Sequence, residues 1–165
     1  MHTRSLQLRD GRSLVVRPLR NGDLATVAAV FAGVGLESRS ARFNGPKPCL
    51  SDADLAGLAR ADASHHALVA WVEGDPEPAA FAQLARLDRD VAEVAFVVAD
   101  RCQQRGIGSS LTRLLLDDAR AAGITEVTAI AGGENRAALA LLRRAACVLD
   151  VRLEGPEQVI RAAVA

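Results

Sequence analysis
Tyrosine is absent from the chain, and Lys47 is its only lysine. That lysine lies between two prolines, so no Gly-Lys-Ser/Thr loop of the Walker type is available. Cysteine is scarce: Cys49, Cys102 and Cys147 stand without CxxC spacing. This makes neither a disulfide framework nor a zinc site and suits a reducing cytosol. No metal is expected, and the expected location is cytoplasmic. No run of about twenty apolar residues occurs, so no membrane span is expected. The opening MHTRSLQLRDGR carries no apolar segment and does not read as a signal peptide. Net charge is also lacking, at +0. That leaves no footprint for non-specific nucleic-acid binding and no basic face for an acidic membrane.

What is present is a globular composition. Half of the 165 residues are hydrophobic, which excludes a disordered chain, and the length suits one domain, 1–165, with a real core. Asp10-Gly11 between alternating apolar residues signals a hairpin over 6–17. Asn21 or Asp23 can cap a helix with Leu24, Val27, Ala28, Phe31 and Val34 on one stripe, stopped by Gly33 and Gly35. Glu37 to Cys49 reads as a loop. Ser51 and Asp54 resemble a capping box and open a second helix. Strands follow over His66 to Val72, Ala79 to Leu87 and Val91 to Ala99. After a helix ending at Gly123 come a strand over Glu126 to Ala131 and a helix capped by Asn135. Strands over Val148 to Leu153 and Gln158 to Ile160 close the chain. Counting the hairpin once, the order is β-α-α-β-β-β-α-β-α-β-β, an α/β fold with a mixed sheet and helices on both faces.

The most informative stretch is Val91 to Gly123. An apolar strand with one charge, Glu93, runs into a glycine-punctuated turn and then an amphipathic helix. Glycines allow close backbone approach, and a helix start presents unpaired N–H groups and a favourable dipole to anions. Such a site is built for phosphate. A dinucleotide fingerprint fails, because Leu111 stands where the third glycine of GxGxxG should be. What remains is Gln103-Gln104-Arg105-Gly106-Ile107-Gly108, which resembles the Q/R-x-x-G-x-G/A motif of the GNAT superfamily of acyl-CoA-dependent N-acyltransferases. Strand, loop and helix fall in that family's order, and the topological likeness covers nearly the whole chain.

The resemblance implies the GNAT fold, acetyl-CoA as cosubstrate and a core for it over 79–147. The amides of Gln103, Gln104, Arg105, Gly106, Ile107, Gly108 and Ser109 would bind the pyrophosphate. Phe96, Val97 and Val98 lie where the family's central strand bulges and parts from its neighbour, and their backbone would hold the pantetheine arm. A second motif, N-x-x-A-x-x-L-Y, reads Asn135, Ala138, Leu141 and Leu142, so Leu142 occupies the place of a tyrosine that in many members protonates the departing thiolate. Glu93 is the sharpest catalytic candidate. A lone carboxylate among apolar neighbours is costly unless paired or wet, and desolvation makes a carboxylate a better base. In family members with glutamate at this point it is the general base towards the amine. The AEVAF segment is similar to that of several bacterial protein-lysine acetyltransferase domains, as is the SR-x-x-RF pattern ending in Arg39-Ser40-Ala41-Arg42-Phe43.

Other features read more plainly. His65 and His66 are adjacent on a strand, so they face opposite ways, and no third ligand is spaced nearby. Cys102 is a small loop residue, and Arg143 and Arg144 are solvated. The leading expectation is an N-acetyltransferase acting on a primary amine, in a small molecule or a protein, by direct attack in a ternary complex. The alternative is an acyl-CoA-binding regulatory domain with little catalysis. A homodimer is left open as an assembly.

Overall fold
The computed structural model describes residues 2–164. Its frame is one eight-stranded sheet in the order β1-β2-β3-β4-β5-β6-β8-β7. The strands are β1 (Arg4–Gln7), β2 (Ser13–Pro18), β3 (His65–Val72), β4 (Pro78–Arg86), β5 (Val91–Val98), β6 (Glu126–Gly132), β7 (Cys147–Glu154) and β8 (Glu157–Ala163). The pairings are antiparallel except that of β5 with β6. The helices are α1 (Leu24–Ala32), α2 (Leu36–Phe43), α3 (Asp52–Leu58), α4 (Ile107–Ala121) and α5 (Arg136–Ala145).

Local chemistry accounts for most boundaries. Gly11 turns the β1–β2 hairpin at φ 83°, a backbone that favours glycine. Asp23 caps α1 by accepting from the Thr26 amide at 3.0 Å. Ser51 and Asp54 form a reciprocal capping box on α3. Asn135 caps α5 through the Ala138 amide. The inward stripe of α1 is Val27, Val30, Phe31 and Val34, whereas Leu24 and Ala28 are exposed.

The loop expected over Glu37 to Cys49 is the main error of the sequence reading, since its first half is α2. No local side chain caps that helix. The cap comes from Asp100, sixty-five residues away, whose carboxylate accepts from the Gly35 amide at 3.0 Å and from the Ser38 hydroxyl at 2.7 Å. A long-range cap leaves no trace in a local pattern.

The sheet has a core on each face. On one side Ala82, Leu84, Ala92 and Val94 pack with Leu111, Leu115, Leu116 and Ala119 of α4 and with Leu142 of α5. On the other side Val69, Phe81 and Val97 pack with Val27, Val30 and Phe31 of α1 and with Leu58 of α3. β5 therefore alternates, with Ala92, Val94, Phe96 and Val98 towards α4 and α5 and Val97 towards α1. Among the described residues no helix is long and apolar enough to cross a membrane, and no group of side chains is arranged to hold a metal.

Candidate active site
Two features of β5 create a cleft. Its parallel pairing with β6 lasts only three rungs, Val91↔Glu126, Ala92↔Val127 and Glu93↔Thr128. Beyond them β6 pairs only with β8, and the edge of β5 from Val94 to Val98 has no strand partner on that side. Glu93 is thus the last residue of β5 paired with β6, at the base of a fork. The expected parting of the strands is present. The expected bulge is not: the β4–β5 register runs without a shift from Arg86↔Ala92 to Ala80↔Val98.

The fork opens towards the start of α4. After Val98 the chain makes a short 3₁₀ turn, Asp100–Cys102, and reaches α4 at Ile107. Gln104 and Gly106 both take left-handed φ, at 61° and 83°. Gly106 is the N-cap, with no side-chain cap. Among the described residues no acceptor meets the amides of Gln104, Arg105, Gly106, Ile107, Gly108 or Ser109, while Ser110 already bonds to the Gly106 carbonyl. Consecutive free N–H groups with left-handed residues between them, at the positive end of the helix dipole, make a concavity of the kind that suits an anion.

The two glycines are not equally required. A Cβ on Gly106 would stand in open space, but its backbone is strained for any other residue. A Cβ on Gly108 would make ordinary contacts, 3.4 Å from Leu141 and 3.5 Å from Val98, so the packing of α4 against α5 and the end of β5 does not itself require glycine there. The Gln103 side chain braces the loop instead of facing a ligand, donating to Val98 O at 3.3 Å, Ser38 Oγ at 3.1 Å and Asp100 Oδ1 at 3.2 Å.

Some expected contacts move. Leu142 is fully enclosed in the core beneath α5, so as it stands its side chain cannot meet a cofactor. Leu141, one position earlier, is the half-buried residue that lies against Gly108. Asn135 spends its carboxamide oxygen on capping α5, and Ala138 is half-buried against the core. Val97 is core, and Phe96 and Val98 are half-buried against the opposite core cluster. Cys102 is buried among apolar residues and is not an accessible thiol.

Glu93 is half-buried and points to the α2–α3 side of the sheet. There it lines an open cavity of about 250 Å³ together with Arg42, Arg60, His65 and Gln83. The histidines face opposite ways, as alternation requires. His65 lies in this cavity with its Nδ1 2.9 Å from Asp62, and His66 reaches Asp118 of α4 on the far face. Asp62 is held far below the usual carboxylate range by His65 and by the Ser64 amide. The SR-x-x-RF segment divides its work. Arg39 donates to the carbonyls of Val34 and Pro48, Phe43 packs on Phe31, and Arg42 faces the cavity. The sequence reading singled out this segment, with the Glu37 to Cys49 stretch expected on the acceptor side, but gave Arg42 no individual role, since within a loop nothing distinguishes the faces of Arg39 and Arg42.

The fold that carries this strand and turn matches known proteins. Residues 36–146 match the profile of the "Acetyltransferase (GNAT) family". The GNAT domain of PAT from S. lividans superposes with a TM-score of 0.86 at 26% identity, over 98% of this chain and 96% of that one. A cAMP-binding acyltransferase from Mycobacterium smegmatis superposes with a TM-score of 0.66 at 25% identity, over 99% of this chain; the match spans 48% of that protein. Spermidine N-acetyltransferase from Vibrio cholerae, solved with CoA and spermine, shares the fold at 19% identity, with a TM-score of 0.65 over 91% of this chain and 94% of that one. The chain belongs to the acetyltransferase (GNAT) family and is an acyltransferase.

Proposed function
We propose that this chain transfers the acetyl group of acetyl-CoA to a primary amine by direct attack within a ternary complex. The observation that carries this reading is the row of acceptor-free amides, Gln104 to Ser109, set beside the unpartnered edge of β5. The amides would hold the pyrophosphate, and the β5 edge from Phe96 to Val98 would hold the pantetheine arm. Acetyl-CoA supplies an activated acyl carbon as its thioester. Glu93 takes the proton from the incoming ammonium, directly or through a water, because only the neutral amine attacks. The N–C bond forms, the C–S bond breaks, the acylated nitrogen gives its second proton to solvent, and sulfur leaves as thiolate.

No phenol stands ready to protonate that thiolate. A thiol's reference pKa is about 8.5, so a thiolate can depart near neutral pH with little help. A shortfall in general-acid catalysis costs typically ~10²–10⁴-fold and less for a good leaving group. Arg143 and Arg144 lie exposed on the last turn of α5 and have no part in the reaction proposed here.

The test is a thermal-shift titration. Acetyl-CoA should raise Tm in a concentration-dependent way, because a ligand that binds only the folded state stabilises it by mass action. Gly106→Val should lose the ligand-induced increment, whatever its own starting Tm. No increment for the unaltered protein at millimolar acetyl-CoA would remove the cofactor reading. An increment without CoA release towards any amine would instead select the non-catalytic acyl-CoA-binding domain.

A further inference from the structure
The cavity that Glu93 lines also contains a cation with no carboxylate partner among the described residues; its guanidinium lies over the Phe43 ring, 5.2 Å from the ring centroid. Arg42 reaches it from the last turn of α2. Its Nε is buried and has no hydrogen-bond partner. Its one side-chain bond is a long one, from Nη2 to Gln83 Oε1 at 3.4 Å. Among the described residues no carboxylate lies within 4.0 Å of its guanidinium. Burial pushes the guanidinium below its ordinary value, and the charge of Glu93 works the other way. The neighbouring cations are already engaged. Arg60 pairs with Asp62 at 3.0 Å, and Arg39 is spent on two backbone carbonyls.

A half-buried guanidinium whose Nε is covered and unbonded is costly unless something pairs it. Its planar fork is shaped for a carboxylate, which can accept two parallel N–H bonds. Across the same space stands Glu93, shaped for an ammonium. The cavity therefore presents one charge of each sign to a ligand, within a volume of about 250 Å³. That volume is below the usual range for drug-sized ligands, ~300–1,000 Å³, and suits a small molecule.

We infer that the acceptor is a small zwitterion, a primary amine that also carries a carboxylate, held with its amine at Glu93 and its carboxylate at Arg42. This rests on the acetyl-transfer reading, since it assigns the amine to the residue proposed as base. A protein lysine brings the ammonium into the cavity but no anion on the same side chain, and it leaves Arg42 unpaired. A simple alkylamine has the same defect. The zwitterion pairs both charges at once and fixes the orientation of the attacking nitrogen.

The test compares acids with their own amides. The common L-α-amino acids, β-alanine and 4-aminobutyrate are each set against the matching carboxamide, and a lysine-containing peptide with blocked ends joins the panel. Binding is measured by calorimetry in saturating CoA, which has no acyl group and allows no turnover. CoA release from acetyl-CoA is measured in parallel. At least one acid is expected to bind ten-fold or more tightly than its amide. Arg42→Gln should bring that ratio close to one, and Arg42→Lys should keep part of it.

Equal or tighter binding by every amide, no binding by any acid, or a ratio that persists in Arg42→Gln overturns the inference. So does a peptide turned over more efficiently than every acid. The comparison within the unaltered protein does not depend on the folding of any variant. An acid preference in binding with no CoA release from acetyl-CoA would sink the acetyl-transfer reading and leave the zwitterion site standing. Acetyl transfer without acid preference would do the reverse.

Discussion
At the scale of single residues, Glu93 was legible because it is the one charge inside an apolar strand, and a charge in such a place needs a reason. The fold gives it an open cavity on one side and the last β5–β6 rung at its backbone. Glu93→Gln keeps size and hydrogen bonding but cannot take up a proton. It should lower kcat about 10²-fold or more with little change in acetyl-CoA affinity, and steady-state kinetics over a range of pH would measure both. Activity equal to the unaltered protein at every pH would exclude Glu93 as the base. Leu142 shows the opposite case. A motif aligned by spacing placed it at the cofactor, but spacing along a helix does not say how deeply each face is buried. Leu142 is enclosed in the core, so Leu142→Tyr adds volume and a hydroxyl where the surroundings are apolar. We expect it to cost about 1–3 kcal/mol of stability by denaturant unfolding, without a gain in turnover. Faster turnover at unchanged stability would mean that the ring reaches the cleft after all.

At the scale of elements, the strands and helices with local signals were readable: the hairpin at Gly11, the capping box on α3, the Asn135 cap and the stop at Gly123. The segment before Ser51 was not, because its helix is completed from outside. Asp100 lies in the 3₁₀ turn that leads to the anion cradle, and it caps the helix that carries Arg42. The two halves of the site are thus joined by one carboxylate. The three-rung length of the β5–β6 pairing was equally invisible, since strand partners are set by the whole topology and not by either strand alone. Gly35 is the tight point of the junction. A Cβ there would lie 2.4 Å from Asp100 Oδ2, and that oxygen cannot retreat without giving up the cap. Gly35→Ala should therefore destabilise the protein by about 1–3 kcal/mol and expose α2 to early amide exchange. Hydrogen exchange would read both. Normal protection across Leu36–Phe43 in that variant would show that the Asp100 cap is dispensable.

At the scale of the molecule, the sheet must hold β1 to the α4 face although the two are far apart in sequence. Beside the β1–β2 pairing, a hydrogen-bonded cluster of three residues links them. Arg4 donates two bonds of 2.7 Å to the carboxylate of Asp118 on α4, and His66 of β3 approaches the same group at 2.8 Å. All three side chains are mostly covered, at 22%, 13% and 19% exposure for Arg4, Asp118 and His66. Burial works against the charged form of Asp118, but the hydrogen bonds from His66 and Arg4 and their charges outweigh it and hold the carboxyl below its ordinary value. A carboxylate whose folded value is depressed lends stability above its unfolded value, about 3.9, and that stability is lost as pH falls through the folded value. Asp118→Asn should therefore be less stable than the unaltered protein at pH 7. The expected difference is about 1–3 kcal/mol, at the lower end of what breaking a covered pair costs, because solvent still reaches part of the cluster. The gap between the two proteins should narrow as pH drops below about 4, since only the unaltered chain then loses the charge. Paired urea unfolding curves from pH 7 to pH 3 would measure it. A gap that stays constant over that range would mean that Asp118 acts there by shape and hydrogen bonding alone, and that charge does not tie β1 to α4.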